Sequence, residues 1–272
     1  MTESTTTGNR LAGAFARAKA DGRIALMPFV TVGYPTLERT KKLIKAIVEA
    51  GADGLELGVP FSDPLADGVT VQRTSQQALD QGTTLNDALT LVAELRAEGV
   101  DVPLVLMGYT NPFYQYGLEA LAAKAAEVGI DGFIVPDLPA EESDEWVEPL
   151  RAQGRDLIFF VAPTSTDARL KTTAEKASGF IYCVSLTGVT GAREQMAGDL
   201  AEYIGRVRAV TDLPLVIGFG ISTPAHVAEV AQIADGAIVA SAMINHLDTF
   251  SEADEADAAI EYVKTMRAAT AK

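Results

Sequence analysis

Glu56 stands between two leucines at the head of the run LELGVPFSDPLADG, Leu55 to Gly68. The run begins as a strand and breaks into a loop that carries Pro60, Pro64, Asp63 and Asp67. Successive side chains of a strand point to opposite faces. If Leu55 and Leu57 face one apolar layer, Glu56 faces the other way. In a closed parallel barrel that way is the interior, where an ionisable group is costly unless paired or used. The plain alternative is a strand-end glutamate satisfied by a nearby Lys or Arg. With Asp63 and Asp67 close behind it, the run reads as carboxylate acid–base chemistry. Glu56 is the best proton shuttle, because an apolar barrel mouth raises a carboxyl pKa toward neutrality. Asp63 and Asp67 could each bond their own turn instead. For Asp63, followed by Pro64, the turn is the preferred reading; for Asp67, function is. Asp137, in VPDLP, reads as a turn and N-cap ahead of a helix at Glu141.

Absences narrow the chemistry. An imine-forming aldolase needs a lysine at a strand end, and every lysine here falls in a helical or terminal segment. Metal-dependent lyases usually show histidine ligands. The two histidines, His226 and His246, read as solvated helix residues, and no metal is expected. The single cysteine, Cys183, excludes an intrachain disulfide framework and reads as buried filler in a strand. A net charge of −15 and a pI near 4.5 argue against nucleic acid or an anionic membrane as partner. The polar N-terminus MTESTTTGNR does not read as a secretory signal, and no apolar stretch is expected to span a bilayer. A cytoplasmic protein is expected.

The 272 residues alternate short apolar strands with amphipathic segments. Strands are expected at Ala25–Thr31, Gly54–Gly58, Val102–Met107, Gly132–Val135, Leu157–Val161, Phe180–Val184, Leu215–Gly218 and Gly236–Val239. Helices are expected at Thr36–Ala50, Leu85–Glu98, Gly117–Val128, Ala140–Gln153, Asp167–Lys176, Leu200–Val210 and Pro224–Ile233. Leu43, Ile44, Ile47 and Val48 make an apolar stripe beside Lys41, Lys42 and Lys45. GADG (Gly51–Gly54), GIDG (Gly129–Gly132) and ADG (Ala234–Gly236) each close a helix and open a strand, so one βα joint recurs. Eight such units read as an α/β (β/α)₈ TIM barrel, a single domain over 1–272 with a short N-terminal helix at about 10–20. The runner-up, a doubly wound open sheet, usually shows G-x-G-x-x-G after its first strand, and none follows Thr31. The acidic SEADEAD, Ser251–Asp257, reads as a solvated lead-in to the last helix.

SLTGVTGAR (Ser185–Arg193), IGFGIST (Ile217–Thr223) and VASAMI (Val239–Ile244) follow the sixth, seventh and eighth strands. Glycines there let backbone N–H groups approach an anion, and a phosphate site between the last two strands recurs in this fold. Plain βα turns are the alternative.

These residues closely resemble the tryptophan synthase α-subunit family. The matching stretches are PFVTVGYP (Pro28–Pro35), GADGLELGVPFSDPLADG (Gly51–Gly68), MGYTNP (Met107–Pro112), VPDLP (Val135–Pro139), VTGAR (Val189–Arg193) and GFGIST (Gly218–Thr223), which together cover nearly the whole chain. The resemblance implies retro-aldol cleavage of indole-3-glycerol phosphate to indole and glyceraldehyde 3-phosphate. Once its C3 is protonated, the indole ring is its own electron sink. Carried over by motif, Glu56 would protonate C3 and take the glycerol hydroxyl proton. Asp67 would hold the indole N–H and stabilise the charge developing on the ring. Phe29 and Tyr109 would line the indole pocket, with Tyr182 near the substrate. Gly191, Phe219, Gly220 and Ser241 would bind phosphate, and Thr190 would sit on a lid and orient Asp67. Asp63 and the Leu65 region would face a β subunit in an α2β2 complex. Pyridoxal phosphate is expected in that partner, and no cofactor in this chain.

Three positions depart from the pattern: Tyr34 replaces an aspartate, Leu186 an arginine, and Ala240 a frequent glycine before Ser241. Arg193 is read as capping or solvating the lid, with no catalytic role. Other phosphate-binding barrels of tryptophan or histidine biosynthesis would share the last two loops without needing LELGVPFSDPLADG. A non-catalytic activator of the β subunit would have lost the carboxylates. A stand-alone indole-releasing lyase would look almost the same.

Overall fold

The computed structural model describes residues 10–184, 193–218 and 220–272, and only the backbone of 193–199. The strands are β1 (Ala25–Thr31), β2 (Leu55–Gly58), β3 (Leu104–Met107), β4 (Gly132–Ile134), β5 (Asp156–Val161), β6 (Ile181–Val184), β7 (Leu215–Gly218) and β8 (Gly236–Val239). They form a closed parallel barrel in chain order, β8 pairing with β1. The helices are α1 (Arg10–Ala20), α2 (Leu37–Glu49), α3 (Val69–Asp80), α4 (Leu85–Ala97), α5 (Thr110–Tyr116), α6 (Leu118–Val128), α7 (Asp144–Ala152), α8 (Asp167–Lys176), α9 (Arg193–Arg208), α10 (Pro224–Ala231), α11 (Ser241–Leu247) and α12 (Glu255–Ala268).

Strand alternation divides the core into two layers. Leu26, Val30, Leu55, Leu57, Leu104 and Leu106 point outward into the layer beneath the helices. Met27, Phe29, Val105, Met107, Tyr182, Val216 and Ile238 fill the interior. From below, α1 closes the barrel with Leu11, Phe15 and Ala18, and Phe15 meets Phe180 edge-on at 5.8 Å. The stripe on α2 buries Leu43, Ile44 and Ile47, while Lys41 and Lys45 reach Glu94 and Glu98 on the outside. Thr36, Thr84, Thr166 and Thr223 cap α2, α4, α8 and α10 by accepting a backbone N–H.

The recurring helix-to-strand joint has a second function beyond its glycines. Its aspartate reaches sideways to the preceding strand: Asp53 accepts from Leu26 N–H at 2.9 Å, Asp131 from Leu104 N–H at 2.9 Å, and Asp235 from Leu215 N–H at 3.0 Å. Each also pairs with arginine: Asp53 with Arg23, Asp131 with Arg10 and Arg96, Asp235 with Arg208. These joints lie at the end of the barrel away from the catalytic loops, where such ties serve stability. Removing one partner of a buried pair strands the other charge. Asp131→Ala is therefore expected to cost ~3 kcal/mol or more in urea unfolding while leaving substrate affinity unchanged.

Several expectations need correcting. The expected helix Ala140–Gln153 is a 3-10 turn, Ala140–Glu142, followed by α7; buried Ser143 separates them, its hydroxyl donating to Ala140 O. Asp137 caps a different helix from the one expected: it accepts from Thr110 N–H and Oγ1 at the start of α5. Glu255, in the acidic run, is 7% exposed and held by Arg39 at 3.0 Å rather than solvated. Cys183 is buried as expected. No helix among the described residues is long and apolar enough to cross a membrane.

Candidate active site

Because Leu55 and Leu57 are taken by the outer layer, Glu56 turns into the barrel mouth, in register with Phe29 of β1 and Val105 of β3. It is 2% exposed, and Oε2 has no hydrogen-bond partner among the described residues. Among the described residues no Lys or Arg pairs with it, as the plain alternative would require. A carboxyl in this position avoids the cost of a buried charge by keeping its proton. Burial, and after it the negative charge of Asp67, push Glu56 up to about 8.

Asp67 lies on the loop from β2 to α3. Its N–H donates to Pro64 O at 3.0 Å and its carbonyl accepts from Gln72 Nε2 at 2.8 Å. Partial burial pushes its carboxyl up to about 6, against the opposing hydrogen bond from Tyr109. The Tyr109 hydroxyl also accepts from Ala66 N–H at 2.9 Å, and its ring stacks on Phe61 at 5.3 Å. Tyr109 thus sits against Asp67 at the cavity's edge and hydrogen-bonds its carboxylate. Asp63 is exposed and accepts from the Ser62 hydroxyl, in keeping with the turn reading.

One cavity brings together Phe29, Glu56, Asp67, Tyr182, Gly220 and Ser241. Its apolar walls include Val71, Met107, Ile221 and Ile238, which the sequence reading did not single out, and Ser222 and Ala240 also line it. Met107 and Ile238 were within reach of strand alternation: each ends an inward-facing series. Val71 was not, because it stands on α3. The expected residues Thr190, Gly191 and Phe219, the departure Leu186 and the Arg193 side chain lie outside the described residues. His226 accepts from Ser222 N–H at 3.3 Å, and exposed His246 packs on Phe250 and Tyr262. Among the described residues no cluster of three or more His, Cys, Asp or Glu is placed to hold a metal.

Two strand-end glycines make room for the cavity's aromatic rings. A Cβ on Gly58 would stand 2.4 Å from the Phe29 ring, and one on Gly218 would stand 2.0 Å from the Tyr182 hydroxyl. Tyr182 cannot swing aside easily, since Phe160 lies 4.4 Å from its ring and Phe180 6.4 Å. Burial, followed by the nearby charges of Glu56 and Asp67, drives its phenol upward, so it is a neutral hydroxyl at neutral pH. Gly218→Ala is expected to displace that hydroxyl and lower turnover ~10-fold with the fold retained, as read by steady-state kinetics beside circular dichroism.

Residues 15–271 match the family model described as tryptophan synthase alpha chain. The chain belongs to the tryptophan synthase alpha chain family. It is 53% identical over 264 residues to the tryptophan synthase alpha chain of Chloroflexus aurantiacus, covering 97% of this chain and 99% of that one. It is 50% identical over 246 residues to that of a Geobacter species, covering 90% and 92%. Among solved structures, tryptophan synthase subunit alpha from Legionella pneumophila superimposes with a TM-score of 0.89 at 37% identity, covering 96% and 98% of the two chains. An aminoacrylate-bound tryptophan synthase from M. tuberculosis superimposes with a TM-score of 0.86 at 34% identity, covering 97% and 100%. Membership in the tryptophan synthase alpha chain family removes the other phosphate-binding barrels from contention.

Proposed function

We propose that this chain is the α subunit of a tryptophan synthase and cleaves indole-3-glycerol phosphate with Glu56 as its proton shuttle and Asp67 as its electrostatic partner. The observation that carries the assignment is the buried carboxyl of Glu56, whose Oε2 has no hydrogen-bond partner among the described residues, beside a more exposed carboxyl, Asp67, in one apolar cavity. Deeper burial, with the Asp67 charge adding to it, raises Glu56 above Asp67, so between about 6 and 8 one carboxyl is protonated and the other ionised.

Protonated Glu56 delivers its proton to indole C3, which places positive charge on the ring and its N–H. Ionised Asp67 accepts that N–H and stabilises the charge. Glu56, now a carboxylate, takes the proton from the glycerol hydroxyl next to C3. The C–C bond breaks, its electrons return to the ring, and indole and the aldehyde separate. Glu56 ends protonated, as it began. The apolar walls at Phe29, Met107 and Ile238 suit the indole ring. The backbone around Gly220 and Ser241 is the proposed phosphate end, to which Gly191 and Phe219 are expected to contribute. Pyridoxal phosphate chemistry belongs to the β subunit. Leu65 and Val69, 91% and 83% exposed on either side of Asp67, are an apolar surface of the kind a partner covers.

The assay is indole release from indole-3-glycerol phosphate by the purified chain, alone and with a cognate β subunit. Slow release alone with strong acceleration by the partner is expected. Fast release alone would identify a self-sufficient lyase, and no release in either condition would overturn the assignment.

A further inference from the structure

Beyond the cavity, three side chains close a triangle on the barrel rim. Tyr34 lies in the loop after β1, Arg73 on α3, and Asp248 directly after α11. Tyr34 Oη donates to Asp248 Oδ1 at 2.7 Å, Arg73 Nη1 donates to Tyr34 Oη at 2.8 Å, and Arg73 Nη2 pairs with the Asp248 carboxylate. The guanidinium also lies over the Tyr34 ring, 5.5 Å from its centroid. One turn earlier Thr70 Oγ1 donates to Asn245 Oδ1 at 3.2 Å, so α3 and α11 are tied twice. The buried hydroxyls of Thr74 and Thr31, 2.7 Å apart, tie α3 to β1 as well.

The Arg73–Asp248 pair is 39% and 28% exposed, and ion pairs of that exposure contribute little to stability. What the triangle does fix is register. Asp67 precedes α3 by two residues, while Ala240 and Ser241, at the start of α11, line the same cavity. A slip of α3 by one residue along α11 would carry the Asp67 loop about 1.5 Å. Misplacing a reacting group by about 1 Å costs on the order of 100-fold in rate.

We propose that Arg73, braced by Tyr34 and Asp248, is a positioning residue for the cleavage: it holds α3, and through it Asp67, in register with the cavity wall built after β8. The proposal rests on the role given to Asp67 above. It is tested in the αβ complex with Arg73→Met, Tyr34→Phe and the charge swap Arg73→Asp with Asp248→Arg.

Arg73→Met is expected to lower kcat ~10-fold, with KM for indole-3-glycerol phosphate within about two-fold and Tm within ~2 °C of the parent. Tyr34→Phe removes one hydroxyl and is expected to lower kcat ~3-fold. The swap is expected to recover at least about half of the parental kcat, which ties the loss to the Arg73–Asp248 pairing. A kcat for Arg73→Met within two-fold of the parent, a loss confined to KM or Tm, or failure of the swap to rescue overturns the proposal. If Arg73→Met does not fold, an unchanged kcat in Tyr34→Phe overturns it. Absence of cleavage by the parent complex would defeat the assigned reaction itself; full turnover by Asp67→Asn would defeat the role of Asp67. Normal behaviour of both controls with an inert Arg73 defeats the positioning role alone.

Discussion

Glu56→Gln is expected to abolish indole release, by roughly 10³-fold or more, while making the protein more stable at alkaline pH. Both effects have one cause. Glu56 is sealed from water and faces the charge of Asp67, so its carboxyl is pushed up to about 8. A pKa raised in the folded state contributes stability that is complete below the unfolded value and is lost as pH rises through the folded value. The parent should therefore weaken progressively from near pH 4.5 to about pH 8, with a total loss on the order of 5 kcal/mol. Glutamine cannot ionise and escapes the penalty, yet it has no proton to deliver to C3 and no carboxylate to take one back. Paired urea titrations at pH 5 and pH 8.5 check the first effect. The difference between parent and variant should be small at pH 5 and large at pH 8.5. A pH-independent difference would mean that Glu56 is ionised throughout and is not a proton donor.

Glu56 was legible in the sequence because strand geometry is local: with two leucines facing outward, the residue between them must face inward. The barrel was legible for a similar reason, since one helix-to-strand joint recurs and its glycines mark each return to the sheet. The third element of that joint was harder to see. The aspartates of GADG, GIDG and ADG act across strands, on Leu26, Leu104 and Leu215, and no spacing within the joint reveals their arginine partners. The helix α3 escapes apolar periodicity because its buried face is Val71, Thr74, Ser75 and Ala78, helical in spacing but mostly small and polar in type. That omission hid the support behind Asp67. Tyr109 was placed in the pocket on resemblance; what spacing could not show is that its hydroxyl would meet Asp67 and Ala66 across the Pro64–Gly68 loop. Tyr34, noted only as a departure, gains a physical meaning once Arg73 and Asp248 are brought against it.

Asp67→Asn is expected to lower kcat ~10²-fold and to change the shape of the pH profile. Asparagine keeps the size of the side chain and an oxygen for Tyr109, so the loop should stay in place; only the charge is lost. Asp67 must be ionised to oppose the positive ring, and Glu56 must be protonated to create it. For the parent, kcat/KM should rise through about pH 6 and fall through about pH 8, as apparent values of the coupled pair. In Asp67→Asn the acid limb should disappear, because no group at that position needs to lose a proton. The alkaline limb should move to lower pH, because the Asp67 charge helps to hold the proton on Glu56. The move should be partial, since burial is the larger cause of the raised value and burial remains. The two limbs thus respond differently to one substitution, which separates an electrostatic partner from a merely structural loop residue. An Asp67→Asn profile that keeps both parental limbs would remove Asp67 from the chemistry and leave Glu56 to act alone.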